Sequence, residues 1–180
     1  IGANAQSIEG NIVGSLFTVP DSGQVQTISA YLELSGATNR KIKTAIYSET
    51  HNFIAETEEK TVSSTGWYNF SFAAPKPMLT ANTKYILVAW SDSTTGSVSL
   101  RYASGSSNQG HSRNQVYGSW PSSPNFNHDN NKYSIYCTYT AANQFTAQVE
   151  LARNSTATFP WDNLSWTIDG STSQSNVSAT

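Results

Sequence analysis

Hydrolysis of a glycosidic bond needs two carboxylates facing each other across a cleft, so Glu56, Glu58 and Glu59 are the first residues to weigh. In an extended strand Glu56 and Glu58 point to the same side, about 7 Å apart. They stand on a regular strand beside Lys60, however, which reads as a solvated edge. A Ser-His-Asp constellation has the residue types it needs, but the Gly-x-Ser-x-Gly elbow is missing: Tyr102-Ala103-Ser104-Gly105 lacks the first glycine. No glycine-rich run opens a helix to cradle phosphate. With no catalytic constellation, the chain reads as non-enzymatic.

Metal ligands are scattered. Asn125-Phe126-Asn127-His128-Asp129-Asn130-Asn131 is dense in oxygen atoms but lacks the ordered spacing of a calcium loop, so it reads as a polar surface turn. His51, His111 and His128 are far apart in the chain and have no cysteine partner, which argues against zinc. Cys137 is the single cysteine, so no intrachain disulfide forms. It shares a strand face with Ile135 and reads as a small buried hydrophobe.

Aromatic residues offer a different chemistry. Sugar rings present flat C–H faces that stack on Trp and Tyr, while Arg, Asn and His hydrogen-bond the hydroxyls. Trp120 sits in the turn Tyr117-Gly118-Ser119-Trp120-Pro121, in the same polar stretch as His111, Arg113 and Asn114. Arg101 alternates outward from Leu100 and Tyr102. Trp67 shares the polar face of its strand with Asn69 and Ser71. The expected ligand-binding set is therefore Trp120 and Tyr117 for stacking, with Arg101, Arg113, His111, Asn114 and Trp67 around them. Trp120 is open to a second reading, a plug folded back under its own loop. Trp90 and Trp166 read as core, and Trp161 fits either role.

The background to these residues is polar but weakly charged. Of 180 residues, 37% are hydrophobic and 12% charged, with a formal net charge of −2. Low charge with alternating apolar segments points to a packed core rather than a disordered polyelectrolyte. The ten basic residues are dispersed, the tightest group being Arg40, Lys41 and Lys43, so nothing matches a phosphate backbone and nucleic acid is not expected as a partner. No apolar run reaches the ~18 residues of a membrane helix. The chain opens at Ile1 without a basic-then-apolar leader, as a processed chain or an excised piece of a longer one does. The sequons at Asn69, Asn154, Asn163 and Asn176 fit export, so an extracellular, secreted or cell-surface location is expected.

What must hold these residues is a set of strands. Helical periodicity is nearly absent, and period-2 segments recur. Val25–Leu34 places Ile28, Ala30, Leu32 and Leu34 on one face. Further strands are expected at Lys41–Tyr47, Phe53–Glu59 after the His51-Asn52 turn, Trp67–Phe72, and Lys132–Thr140. Lys84–Trp90 is apolar on both faces and belongs at the centre of a sandwich; Val98–Tyr102 follows as its expected hairpin partner. Residues 103–131 read as one long irregular loop with functional residues. The fold class is all-β, an antiparallel two-sheet sandwich.

After Thr140 the pattern changes. Gln144–Leu151 and Asn163–Ile168 read as extra C-terminal strands, followed by a polar tail. Residues 1–140 form the sandwich. Residues 141–180 complete it, begin a second β-domain, or pair with another chain.

The runs Phe17-Thr18-Val19-Pro20, Lys43-Thr44-Ala45-Ile46-Tyr47, Gly66-Trp67-Tyr68-Asn69-Phe70 and Leu79-Thr80-Ala81-Asn82-Thr83-Lys84-Tyr85-Ile86-Leu87-Val88-Ala89-Trp90 resemble jelly-roll modules of bacterial and archaeal secreted and cell-surface proteins. The resemblance covers about residues 10–140 and implies a jelly-roll type of sandwich, of the kind appended to polysaccharide-active enzymes or surface repeats. It also implies a structural calcium, for which Glu9, Asp92 and Asp129 are the candidate ligands; no other cofactor is expected. Two functions follow as expectations. One is recognition of a glycan or polysaccharide through loop aromatics; the other is a structural subunit of a surface filament or layer, paired strand to strand with identical subunits.

Overall fold

The computed structural model describes residues 1–36, 39–92 and 97–141, with the backbone of Leu164–Ile168 and Ser171–Ser175. The expected strand at Gln144–Leu151, Trp161, the Trp166 side chain and the sequons at Asn154, Asn163 and Asn176 lie outside these residues. The contacts divide the chain into two compact units, Ile1–Asn143 and Gln144–Thr180.

In the first unit the strands follow as β1 (Asn4–Ser7), β2 (Asn11–Thr18), β3 (Gly23–Ser35), β4 (Arg40–Ser48), β5 (Phe53–Glu56), β6 (Lys60–Val62), β7 (Gly66–Ser71), β8 (Met78–Leu79), β9 (Lys84–Ser91), β10 (Ser97–Ser104), β11 (Gly110–Asn114), β12 (Asn127–Asp129), β13 (Asn131–Tyr133) and β14 (Ile135–Ala141). They form two seven-stranded sheets whose ladders are antiparallel, and the described residues contain no helix. The all-β sandwich expected from the alternation is present. The first sheet has the order β1-β10-β3-β14, with β7 and β8 on β3 and β13 on β10; the second has the order β12-β11-β2-β9-β4-β5, with β6 on β4. In the second unit, β15 (Leu164–Ile168) pairs antiparallel with β16 (Ser171–Ser175).

Alternation along the strands sorts side chains between two cores. Val13, Ile28, Ala30, Leu32, Ile42, Ile46, Leu87, Ala89, Val98 and Leu100 fill the space between the sheets. On the opposite face of the second sheet, Ile12, Ala45, Tyr47, Ile86, Val88 and Trp90 form a smaller core, closed by Phe126 with Tyr117 and Trp120 against it. The central strand β9 feeds both, which is why its sequence is apolar at every position from Tyr85 to Trp90.

Three expectations change. Residues 103–131 are not one irregular loop: β11 and β12 lie within them and extend the second sheet beyond β2. These strands are short and polar, so no alternation betrays them. Val98–Tyr102 does not form a hairpin with β9, because β10 pairs with β1, β3 and β13 in the other sheet. Finally, the strand expected over Phe53–Glu59 stops at Glu56. Thr57 turns inward, and its hydroxyl lies 2.9 Å from that of Thr44 in the buried interior.

Candidate functional site

The stretch after β11 crosses the outer face of the second sheet, where it is pinned at several points. Trp90 Nε1 donates to the Gln115 carbonyl at 3.2 Å, Tyr47 Oη to the Pro121 carbonyl at 3.0 Å, and the Phe53 N–H to the Ser122 carbonyl at 2.8 Å. Buried Tyr and Trp need such partners for their polar ends. Pinned in this way, the stretch sets Tyr117 and Trp120 over Trp90, with ring centroids 5.1 and 5.0 Å away.

Between these rings rises Lys43 from β4. Its ammonium lies 5.0, 4.9 and 5.1 Å from the ring centres of Trp90, Tyr117 and Trp120, and it donates to the Gly118 carbonyl. Each cation–π contact is worth about 0.5–2 kcal/mol, more as the cation is desolvated. Burial pushes the Lys43 ammonium below its ordinary pKa, and Glu56 and Glu59 pull it back up. Tyr117 Oη donates to Glu59 Oε2 at 2.7 Å, and Lys41 Nζ stands 3.1 Å from Glu59 Oε1. Both contacts hold the Glu59 carboxyl below the usual carboxylate range, Tyr117 contributing most.

Lys43, Phe53, Glu56, Glu59, Tyr117 and Trp120 together line an open groove of about 530 Å³. The break at Thr57 lets Glu59, rather than Glu58, join Glu56 there. Glu58 instead accepts the Ser71 N–H at 2.9 Å and pairs with Lys60 at 3.1 Å.

The expected binding residues divide over three places. Tyr117 and Trp120 line the groove. His111, Arg113 and Asn114 lie on β11: His111 is buried, Arg113 Nε donates to Gln115 Oε1 at 3.3 Å, and Asn114 is exposed. Arg101 and Trp67 belong to the other sheet. Arg101 pairs with Glu33 and donates to the Ala3 carbonyl at 2.7 Å. Trp67 is 44% exposed and stacks edge-on with Tyr31 and Tyr136 at 5.6 and 5.4 Å. The sequence reading missed Lys43, Phe53, Glu56 and Glu59 as groove residues. One signal was available: Lys43 shares its strand face with Ala45 and Tyr47, an apolar company unusual for a solvated lysine.

The candidate calcium carboxylates are engaged by backbone groups. Glu9 accepts the Val98 N–H at 2.9 Å, Asp92 the Lys41 N–H at 3.0 Å, and Asp129 the Asn131 N–H at 2.8 Å. The histidines, separated in sequence, are not separated in space. His111 on β11 lies directly across from His128 on β12, and His51 approaches both from the β4–β5 turn. The ring centroids are 4.6 Å (His111–His128), 5.5 Å (His51–His128) and 5.8 Å (His51–His111) apart, above Phe126. One nitrogen of each ring lies within 4.8 Å of the others. Burial drives the His111 pKa down to about 4, so this imidazole is neutral at pH 7. Burial also lowers that of His51.

No protein-family model and no curated protein matches the chain. Among the described residues no helix is long and apolar enough to cross a membrane.

Proposed function

We propose that the protein is a non-catalytic extracellular glycan-binding module, a jelly-roll type of sandwich whose binding surface is the groove beside Tyr117 and Trp120. The observation that carries this reading is the composition of the groove. Two aromatic rings stand beside Glu56, Glu59 and Lys43 in an opening of about 530 Å³, and small-ligand sites mix apolar walls with a few polar groups in this way. Sugar C–H faces stack on the rings, and the carboxylates accept from hydroxyls. The reading is binding rather than hydrolysis, and Glu59, tied to Tyr117 and Lys41 and held low, does not suit the role of general acid, which needs a raised carboxyl pKa.

The test is retention on a glycan array and on insoluble polysaccharides, comparing the parent chain with Trp120→Ala and Trp67→Ala. Loss of retention in Trp120→Ala alone supports the groove. Loss in Trp67→Ala alone moves the surface to the Tyr31–Trp67–Tyr136 patch on the opposite sheet. A folded protein retained on no glycan overturns the reading.

A structural subunit of a surface filament or layer is the second reading. It is favoured by β14, which among the described residues pairs on one side only, with β3, and so leaves a ladder open to another chain.

A further inference from the structure

Three imidazoles from three elements converge beside the second sheet, within reach of one another and, for His51 and His111, of Phe126. The position of His51 is unexpected. Its φ is +67°, a left-handed conformation that costs a non-glycine residue about 1–2 kcal/mol. Glycine would relieve that cost in a turn already fixed by the His51 N–H donating to the Ser48 carbonyl at 3.0 Å. The strained residue is one whose ring reaches the other two.

We propose that His51, His111 and His128 form a binding site for one divalent transition-metal ion, zinc foremost. The reading is independent of glycan binding. Imidazole nitrogens favour borderline ions such as zinc, cobalt, nickel and copper, and calcium and magnesium take oxygen ligands. Among the described residues no carboxylate or thiolate joins the cluster. Tetrahedral zinc with Zn–N of about 2.0–2.1 Å needs nitrogens about 3.4 Å apart. The three ligand nitrogens already lie within 4.8 Å of one another. Rotation of His128, exposed on β12, and of His51, at its turn, closes that gap.

The outer contacts orient the rings as ligands. His111 Nδ1 lies 3.2 Å from the Gln109 carbonyl; as an N–H donor there, it leaves Nε2 with the lone pair. The Pro124 backbone interacts with the His51 ring as well. Carbonyl partners of this kind fix the tautomer and direction of metal-bound histidines. Three protein ligands leave one position of a tetrahedral ion for water or an oxygen of a bound molecule. The ion would tie the β4–β5 turn to β11 and β12.

The experiment uses the full chain, stripped with chelator and dialysed, then titrated with zinc chloride against a chromophoric chelator. The variants His51→Gly and His128→Ala avoid the buried His111 and should fold. Expected are one zinc per chain, a rise in Tm on adding zinc, and tetrahedral absorption bands with cobalt. Each variant should lose at least tenfold in zinc affinity, while metal-free His51→Gly melts no lower than the parent. The proposal is overturned by the absence of saturable one-to-one binding at millimolar zinc. Undiminished affinity in both variants overturns it equally, because it places the ion elsewhere.

Discussion

Tyr117 does two things at once: its ring forms a wall of the groove and its hydroxyl fixes Glu59. A carboxyl whose folded pKa lies below its unfolded value adds stability above the unfolded pKa, and that stability is lost as pH falls through the folded one. Glu59 is such a group, so it favours the folded groove at neutral pH and ceases to do so in acid. In a carbon-13 titration of the side-chain carboxyls, Glu59 should titrate below 4.5, and Tyr117→Phe should move it up toward that value without disturbing the ring packing. An unmoved midpoint would show that Lys41 sets it. For Trp120 the packing role is on view and the binding role is the one proposed. Its ring packs 5.0 Å from buried Trp90, so plug and ligand platform are not exclusive, and its buried Nε1 has no acceptor among the described residues. A fully buried Trp→Ala change costs about 3–5 kcal/mol, and half-burial scales that to about 1.5–2.5 kcal/mol for Trp120→Ala. Urea unfolding should show a lower midpoint with an unchanged slope.

Strands are where the sequence was readable and where it deceived. Alternation located β3, β4, β7 and β9 within a residue or two because one face of each is buried against the other sheet, and the doubly apolar β9 proclaimed its central place. β11 and β12 stayed hidden because they are short and their residues are polar, without an apolar alternation. Their register is why the histidine cluster was illegible: His111 and His128 meet as a cross-strand pair and His51 arrives from a turn, so no spacing encodes them. Neighbours in sequence misled in the opposite sense at β9 and β10, which follow one another yet belong to different sheets. The close approach of β2 to β9 gives a test at this scale. A Cβ at Gly14 would lie 1.8 Å from the Leu87 carbonyl oxygen, whereas one at Gly66 meets nothing within 4 Å. Overpacking against backbone costs about 1–3 kcal/mol or more, so Gly14→Ala should destabilise by at least about 2 kcal/mol. Gly66→Ala should stay within about 0.5 kcal/mol of the parent. Equal midpoints for the two in chemical denaturation would mean that β2 moves away from β9 without cost.

For the whole molecule the open question is whether it works singly or in an array, and the decision turns on β14. This strand has β3 on one side among the described residues, and unprotected edges of that kind recruit other chains. It is not undefended. Its register with β3 shifts between Thr138 and Tyr139, and a bulge bends and twists an edge away from a flat partner. Cys137, on the same strand, offers no covalent route: the thiol is partly buried and burial pushes its pKa up, which suppresses the thiolate that would attack another chain. Under the proposed function, avidity would come from repetition along a polypeptide or surface, without strand exchange. Light scattering after size exclusion should therefore give the 19.5 kDa of one chain from low to high micromolar concentration, with or without reductant. Mass that grows with concentration and ignores reductant would mean that the edge is used, and would move the balance to the filament reading. Growth that reductant reverses would mean that Cys137 is more reactive than its burial implies.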